Sequence, residues 1–190
     1  MGEVEGQVRK EELDAEHEAR RRAALIQIRQ YPDPVLRMQA REVGDFDDAL
    51  ATLVERMSRL MEEARGVGLA APQVGISRRV LVYQAGEEGP ITAIVNPVVV
   101  KRSDEVETTE EGCLSLGAAT VIVEVERPTA ITVEGASPAG EPLRVEVEGL
   151  EARVLQHEID HLDGVLTIDR TTPEQRRAAL GQLRPQPVLG

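Results

Sequence analysis

The stretch Gln156-His157-Glu158-Ile159-Asp160-His161-Leu162-Asp163-Gly164 gives the strongest structural signal in the chain. Residues four apart on a helix lie on one face, so His157 and His161 can direct both imidazoles at one cation, with Glu158 beside them. This is the His-Glu-x-x-His pattern of metal-dependent hydrolases. Apolar residues recur near helical spacing and predict that the stretch is helical, namely Leu150, Val154, Leu155, Ile159 and Leu162.

Two histidines leave a catalytic metal site one ligand short, because such a metal usually takes three protein ligands and keeps one open position. Thr167 occupies the eleventh position of the motif, where one class of proteases has a third histidine. Glu174 and His17 both lie in charged segments with an exposed character. Cys113, the only cysteine, would by itself be taken for a small buried apolar residue. Beside a two-histidine helix it becomes the best candidate, since thiolate binds zinc or iron(II) well.

Three segments of the chain together resemble the three motifs of peptide deformylases, in the same order. They are Gly66-Val67-Gly68-Leu69-Ala70-Ala71-Pro72-Gln73, then Glu111-Gly112-Cys113-Leu114-Ser115, then Gln156-His157-Glu158-Ile159-Asp160-His161. Weaker similarity extends over about residues 26 to 170. The resemblance implies an enzyme that removes the N-terminal formyl group from formylmethionine of newly synthesised polypeptides.

The resemblance also implies roles for individual residues. The metal ligands are Cys113, His157 and His161, and the ion is Fe²⁺ in the cell, with Zn²⁺ or Ni²⁺ as frequent substitutes in purified protein. Glu158 is the general base and acid for an attacking metal-bound water. Gln73 and the backbone N–H of Leu114 are oxyanion donors. The substrate wall is formed by Gly66, Val67, Gly68, Leu69, Gly112 and Cys113. Asp160 and Asp163 are candidates to orient a ligand imidazole, or else are solvated helix charges.

The remaining pattern predicts an α+β fold. Asp47 is a plausible N-cap for a long helix with apolar residues from Leu50 to Ala64, and Gly66 is a natural stop for it. Short strands follow at turn-like spacing, which favours antiparallel sheets over βαβ units. We expect them near residues 79–83, 91–95, 98–100, 106–111, 120–125, 130–133 and 143–147. The sheets should wrap around a central metal-binding helix, and a last helix should start after Thr172.

Composition limits the partners that the chain can have. The formal net charge is -12 and aromatics make up 2% of the residues, which argues against direct DNA binding. No apolar run approaches the ~20 residues of a membrane span, and the N-terminus lacks a secretory signal. We therefore expect a cytoplasmic protein. The resemblance to deformylases implies formylmethionyl nascent peptides as partners, with a transient ribosome contact. Residues 1–24 are expected to be a charged N-terminal extension, and residues 25–190 a deformylase-like catalytic domain.

The chain departs from the family pattern in one segment. After Ser115 the family usually has an apolar residue and then Pro-Gly, whereas Leu116-Gly117-Ala118-Ala119 lacks the proline. Val125-Glu126-Arg127 also comes later than usual, and Thr167 replaces a common aromatic. The metal chemistry is expected to be intact, while side-chain recognition should differ.

Two other functions compete with the deformylase interpretation. An endopeptidase of the His-Glu-x-x-His type is disfavoured by Thr167 and by the lack of a credible later ligand. A non-catalytic, diverged binding protein is disfavoured because Cys113, Glu158 and Gln73 are all retained.

Overall fold

The structure is a computed structural model, and it describes residues 3–84, 86 and 89–184, with side chains from residue 15 onward. The helices are α1 (Glu3–Ile26), α2 (Asp48–Glu63), α3 (Gly149–Leu162) and α4 (Pro173–Gln182). The strands are β1 (Gly68–Ala70), β2 (Val80–Gln84), β3 (Ile91–Arg102), β4 (Val106–Gly112), β5 (Ile122–Pro128), β6 (Ala130–Ala136) and β7 (Pro142–Glu148). Short 3-10 helices cover Pro34–Arg37, Ala71–Val74 and Thr167–Asp169.

Two of the helices start at the capping residues that the sequence predicts. The Asp47 side chain accepts a hydrogen bond from the Leu50 N–H at 3.0 Å, and the Thr172 side chain accepts one from the Gln175 N–H at 3.3 Å. Each bond satisfies a backbone donor that a helix start would otherwise leave free.

The strands form two antiparallel sheets, as predicted. The larger sheet has the order β1-β2-β3-β6-β7, and β4 pairs with β5 in a separate two-stranded sheet. All the pairings between these strands are antiparallel. With the helices that flank them, the sheets give the expected α+β fold.

The large sheet is covered on both faces. One face packs on α2 through a buried cluster that includes Leu50, Met57, Leu60, Leu69, Val80 and Val95. The other face packs on α3 through a second cluster that includes Leu81, Ile94, Ile131, Val133, Leu155 and Leu162. A third cluster joins β5, α4 and the segment around Cys113, including Leu36, Leu116, Val123 and Ile168. Helix α3 therefore lies between the large sheet and the β4–β5 hairpin.

Several local predictions were wrong. The long helix α2 stops before Gly66, because Arg65 already adopts the left-handed conformation with φ of 58°. The predicted break at Asn96-Pro97 is a β-bulge inside the continuous strand β3. Leu150 belongs to the predicted apolar stripe but is 68% exposed. Strand β1 lies before the first strand that we predicted, which was near residues 79–83.

The predicted boundary between residues 24 and 25 falls inside α1. Ala24 is fully buried in the α2 cluster, whereas Ile26 is 85% exposed. The last turn of this helix thus packs on the domain, and the domain division stays a prediction. Residues 185–190, at the end of the predicted catalytic domain, lie outside the described residues.

None of the helices among the described residues combines the length and the apolar character needed to cross a bilayer.

Asn96 ties the bulge of β3 to the chain segment that precedes α2. Its side-chain oxygen accepts from the Val43 N–H at 2.8 Å, and its amide group donates to the Val43 carbonyl at 2.9 Å. Its φ of 52° is left-handed, a conformation that Asn tolerates better than most residues.

We expect Asn96→Ala to lower the free energy of unfolding by ~2–3 kcal/mol, because it removes both hydrogen bonds and keeps an unfavourable φ. Asn96→Gly should cost less, since glycine adopts the same φ freely. Urea unfolding followed by circular dichroism measures both variants. Equal free energies of unfolding for Asn96→Ala and Asn96→Gly would show that the left-handed φ at residue 96 adds nothing to the cost of the alanine substitution.

Candidate active site

Helix α3 and the residue that follows β4 bring together three side chains that could hold a metal ion. His157 and His161 are one helical turn apart on α3, and Cys113 comes directly after the end of β4. The Cys113 Sγ lies 3.3 Å from the His161 Nε2. The donor atoms of the three side chains all lie within 4.8 Å of one another.

This donor set fits a divalent transition metal. One thiolate and two imidazoles are the ligands that zinc and iron(II) accept, and three protein ligands are typical of catalytic sites. Cys113 and His161 are buried and His157 is half-buried. A metal held there would be shielded by protein on most sides and reachable from the cavity that adjoins the site.

Glu158 is a buried carboxyl beside these donors. It is only 4% exposed, and its Oε2 has no hydrogen-bond partner among the described residues. Burial raises the pKa of Glu158 to about 7, although the positive charges of His157 and Arg127 act in the opposite direction. A carboxyl with such a pKa exchanges protons readily near neutral pH.

Gly68 makes room for this carboxyl. A Cβ atom built on Gly68 would lie 2.5 Å from the Glu158 Oε1, so any larger residue here would force the Glu158 side chain to move. Neighbouring strand residues face opposite sides, so Gly68 faces the site while Leu69 faces the α2 core. The Leu69 side chain therefore faces away from the cavity, so only its backbone can belong to the substrate wall, and that role stays a prediction.

Gln73 is buried in the 3-10 helix after β1, and its amide is oriented by its neighbours. Its side-chain oxygen accepts from the Ala70 N–H at 2.9 Å. Its Nε2 consequently faces the other way, donating to the Ser115 Oγ at 3.2 Å and lying 3.9 Å from the Cys113 Sγ. The structure thus places an N–H donor next to the metal-binding thiol.

The side chain that orients the ligand His157 is Glu111, not an aspartate of α3. The Glu111 Oε2 lies 3.1 Å from the His157 Nδ1. Asp160 instead accepts from Arg127 and Arg170, and Asp163 pairs with Arg79. Of the two alternatives given for Asp160 and Asp163, the contact with a ligand imidazole is not observed, and each is instead a charge paired with arginine.

Arg127 connects Glu111 to helix α3. Its Nε and Nη2 donate to the two Glu111 oxygens at 2.7 and 3.0 Å, and its Nη1 donates to Asp160 at 2.9 Å. Arg153 adds a further bond to Glu111 at 2.8 Å. Burial alone would raise the pKa of Glu111, but the hydrogen bonds from His157 and Arg127 hold it well below its usual range. Glu111 is therefore an anion that binds a ligand histidine.

A cavity of about 300 Å³ adjoins the donors. Its lining includes the predicted wall residues Gly66, Val67, Gly68, Gly112 and Cys113, together with Gln73, Leu114, His157 and Glu158. It also includes Ala119, from the altered segment that was expected to affect side-chain recognition, and five residues that the sequence did not point to: Arg65, Glu110, Leu150, Arg153 and Val154. The exposure of Leu150 is explained by this position, because its side chain borders an open cavity.

The family model for polypeptide deformylase matches residues 25–177. The chain belongs to the polypeptide deformylase family. It is therefore a metal-dependent hydrolase that removes the N-terminal formyl group from newly synthesised polypeptides. The sequence-based expectation of this family and activity is confirmed.

Individual relatives agree over most of their length. A peptide deformylase of a Thermotoga species is 48% identical over 152 residues, which is 80% of this chain and 90% of that protein. The peptide deformylase structure from Legionella pneumophila has a TM-score of 0.77 at 41% identity and covers 82% of this chain and 91% of its own. The Thermotoga maritima structure has a TM-score of 0.73 at 47% identity, covering 77% and 97%.

We expect Arg127→Met to lower the free energy of unfolding by ~3–5 kcal/mol, because it removes the buried cation that Glu111 and Asp160 share and leaves each carboxylate with a single arginine, Arg153 or Arg170. Metal content should fall as well, since Glu111 would no longer be held against His157. The measurements are urea unfolding and metal analysis.

Arg144→Met is the matched control. Arg144 pairs with Glu134 across two strands, but both side chains are about half exposed. Removing an exposed pair should cost at most ~1 kcal/mol. Similar losses of unfolding free energy in Arg127→Met and Arg144→Met would contradict the conclusion that the buried bridge matters more than an exposed ion pair.

Proposed function

We propose that Cys113, His157 and His161 hold one divalent metal ion, Fe²⁺ in the cell, which Zn²⁺ or Ni²⁺ can replace in purified protein. The support is the clustering of a buried thiol and two imidazoles within one small sphere. When bound, such an ion supplies a water of lowered pKa and polarises a carbonyl oxygen. Glu111 keeps the His157 ring in place by holding its Nδ1.

Glu158 is assigned the proton transfers. The observation that carries the assignment is a buried carboxyl that has an unpartnered oxygen and borders the cavity beside the metal-binding atoms. Glu158 accepts a proton from the attacking water at this oxygen and later delivers it to the departing amine nitrogen. A formyl amide has a poor leaving group, so this second transfer is as necessary as the first.

Two donors are assigned to the oxygen that becomes negative during hydrolysis. The Gln73 Nε2 points at the Cys113 thiol side of the cavity, held there by the bond from Ala70. The Leu114 N–H has no acceptor among the described residues, while the Leu114 carbonyl is bonded by Gln30. One donor of this kind is typically worth ~3 kcal/mol in the transition state.

The substrate is proposed to be a nascent chain that begins with formylmethionine. Its first side chain enters the cavity between Gly112, Leu150 and Val154, and Gly66 to Gly68 flank its backbone. Gln73 and the Cys113-Leu114 segment leave little space on the acyl side of the metal-binding atoms. We further propose a cytoplasmic location and a transient contact with the ribosome, where such chains emerge.

An endopeptidase has less support. The protease type with a third histidine would need a ligand at residue 167, and Thr167 is a buried threonine outside the cluster of donors. Cys113 already supplies the third ligand. A non-catalytic binding protein would have no use for a buried carboxyl with a pKa near neutrality beside that cluster.

We expect two variants to separate metal binding from chemistry. Cys113→Ala should lose the metal, because the site is left with two ligands. Glu158→Gln should keep the metal and lose ~10²–10⁴-fold in turnover, because the amide cannot accept the proton. Metal analysis and formate release from formyl-Met-Ala-Ser measure both. Full metal retention by the cysteine variant, or wild-type turnover by the glutamine variant, would disprove the respective role.

The nature of the scissile bond gives the test of the function as a whole. The anaerobically prepared, iron-loaded protein should release formate from formyl-Met-Ala-Ser and act poorly on acetyl-Met-Ala-Ser, whose additional methyl group must enter the crowded acyl side. It should not cleave casein. Comparable rates on the formyl and acetyl peptides, or cleavage inside casein without formate release, would favour the endopeptidase instead.

A further inference from the structure

The segment that departs from the family pattern forms an unusual turn. Gly117, Ala118 and Ala119 have φ values of 60°, 53° and 67°, so three consecutive residues are left-handed. Residues with a Cβ avoid this conformation, and when they adopt it they do so singly. Two alanines held there in succession require that the surroundings fix the turn, which is common near ligand sites.

Gln30 fixes both sides of this turn. Its Nε2 donates to the Leu114 carbonyl at 2.8 Å, and its Oε1 accepts from the Ala118 N–H at 3.2 Å. The turn also bonds to itself, because the Ala119 N–H donates to the Cys113 carbonyl at 3.0 Å and the Thr120 hydroxyl donates to the Gly117 carbonyl at 2.8 Å. A single side chain from the region before α2 thus joins the active-site segment to the turn.

The turn brings Ala119, but not Ala118, to the cavity. Ala119 is one of the lining residues of the 300 Å³ cavity, near Gly112, Leu150 and Val154. A Cβ built on Gly112 would lie 3.7 Å from the Ala119 Cβ, so the two residues face each other closely. The size of the side chain at 119 therefore affects the space beside Gly112.

We propose that Ala119 determines which first side chain the enzyme accepts, and that Gln30 is the positioning residue that sets Ala119 in the wall. The inference rests on the proposed function, in which this cavity holds the first side chain of the substrate. The small methyl group of Ala119 leaves room for a long unbranched chain such as methionine. A larger residue at the same place fills that room and leaves the metal-binding atoms and Glu158 untouched.

The test compares two variants with the same backbone strain. Ala119→Leu adds bulk at the cavity wall, and Ala118→Leu adds the same bulk one residue earlier, at a similar φ but outside the cavity lining. Each iron-loaded protein is assayed for kcat/KM on formyl-Met-Ala-Ser and formyl-Ala-Ala-Ser. A methylene more or less in an apolar pocket changes kcat/KM by ~10-fold or more.

The selectivity ratio is kcat/KM on formyl-Met-Ala-Ser divided by kcat/KM on formyl-Ala-Ala-Ser. Ala119→Leu should lower this ratio ~10-fold, mainly because kcat/KM falls for the methionine peptide, with metal content unchanged. Ala118→Leu should leave the ratio within about twofold of wild type. Equal loss on both peptides in the Ala119 variant, or an equal change of the ratio in both variants, overturns the inference. A wild-type protein that releases formate from neither peptide would instead overturn the proposed function.

Gln30→Leu tests the positioning role separately. The substitution removes the hydrogen bonds that join Gln30 to Leu114 and Ala118 and retains a side chain of similar size. The turn then loses its support, while the residues that line the cavity stay the same. The selectivity ratio should fall in the same direction as for Ala119→Leu, with the larger part of the change in KM for the methionine peptide. An unchanged ratio with unchanged metal content overturns the role of Gln30.

Discussion

The buried bridge from Glu111 through Arg127 to Asp160 is the constraint on which the active site depends. Cys113 belongs to the segment after β4, whereas both histidines belong to α3, so the metal site exists only while the hairpin and the helix keep one relative position. Arg127 binds a carboxylate on each side and is almost fully buried. Buried charges are expensive to desolvate, so this bridge adds little net stability compared with apolar packing. Its value is geometric, because Arg127 can reach both carboxylates only when the hairpin and α3 keep this relative position.

The same bridge reaches the metal-binding atoms. Glu111 uses one carboxylate for two purposes, accepting from Arg127 and holding the Nδ1 of His157. Because the His157 ring is held on one side, its other nitrogen is directed at the donor cluster. Arg153 completes the set by bonding Glu111 and two backbone carbonyls of the hairpin. Helix α3 therefore positions its ligands through its own register and through contacts to a separate sheet.

The sequence predicted those features that depend on local spacing. The positions of His157 and His161 on one helix face, the cap at Asp47 and the alternating strands all arise from residues close together in the chain. The role of Glu111 could not be obtained in this way, because its partner His157 is 46 residues away and nearby Asp160 was the more obvious candidate. The direction of the Leu69 side chain could not be obtained from the sequence either, because it depends on residues 68–70 forming a strand, in which Leu69 faces away from Gly68.

The environment of Glu158 depends on the glycine beside it. In the proposed mechanism this carboxyl gains and loses a proton near neutral pH, which burial favours, yet a fully packed carboxyl could not reach a substrate. Gly68 lies against the Glu158 carboxyl group and has no side chain, so the backbone of β1 approaches the carboxyl closely and shields it from water. The left-handed turn at residues 117–119 also shapes the cavity, because it places Ala119 in the lining. There the fold accepts an unfavourable backbone that is held by Gln30. In both places backbone geometry, rather than an added functional group, shapes the site around the reacting atoms.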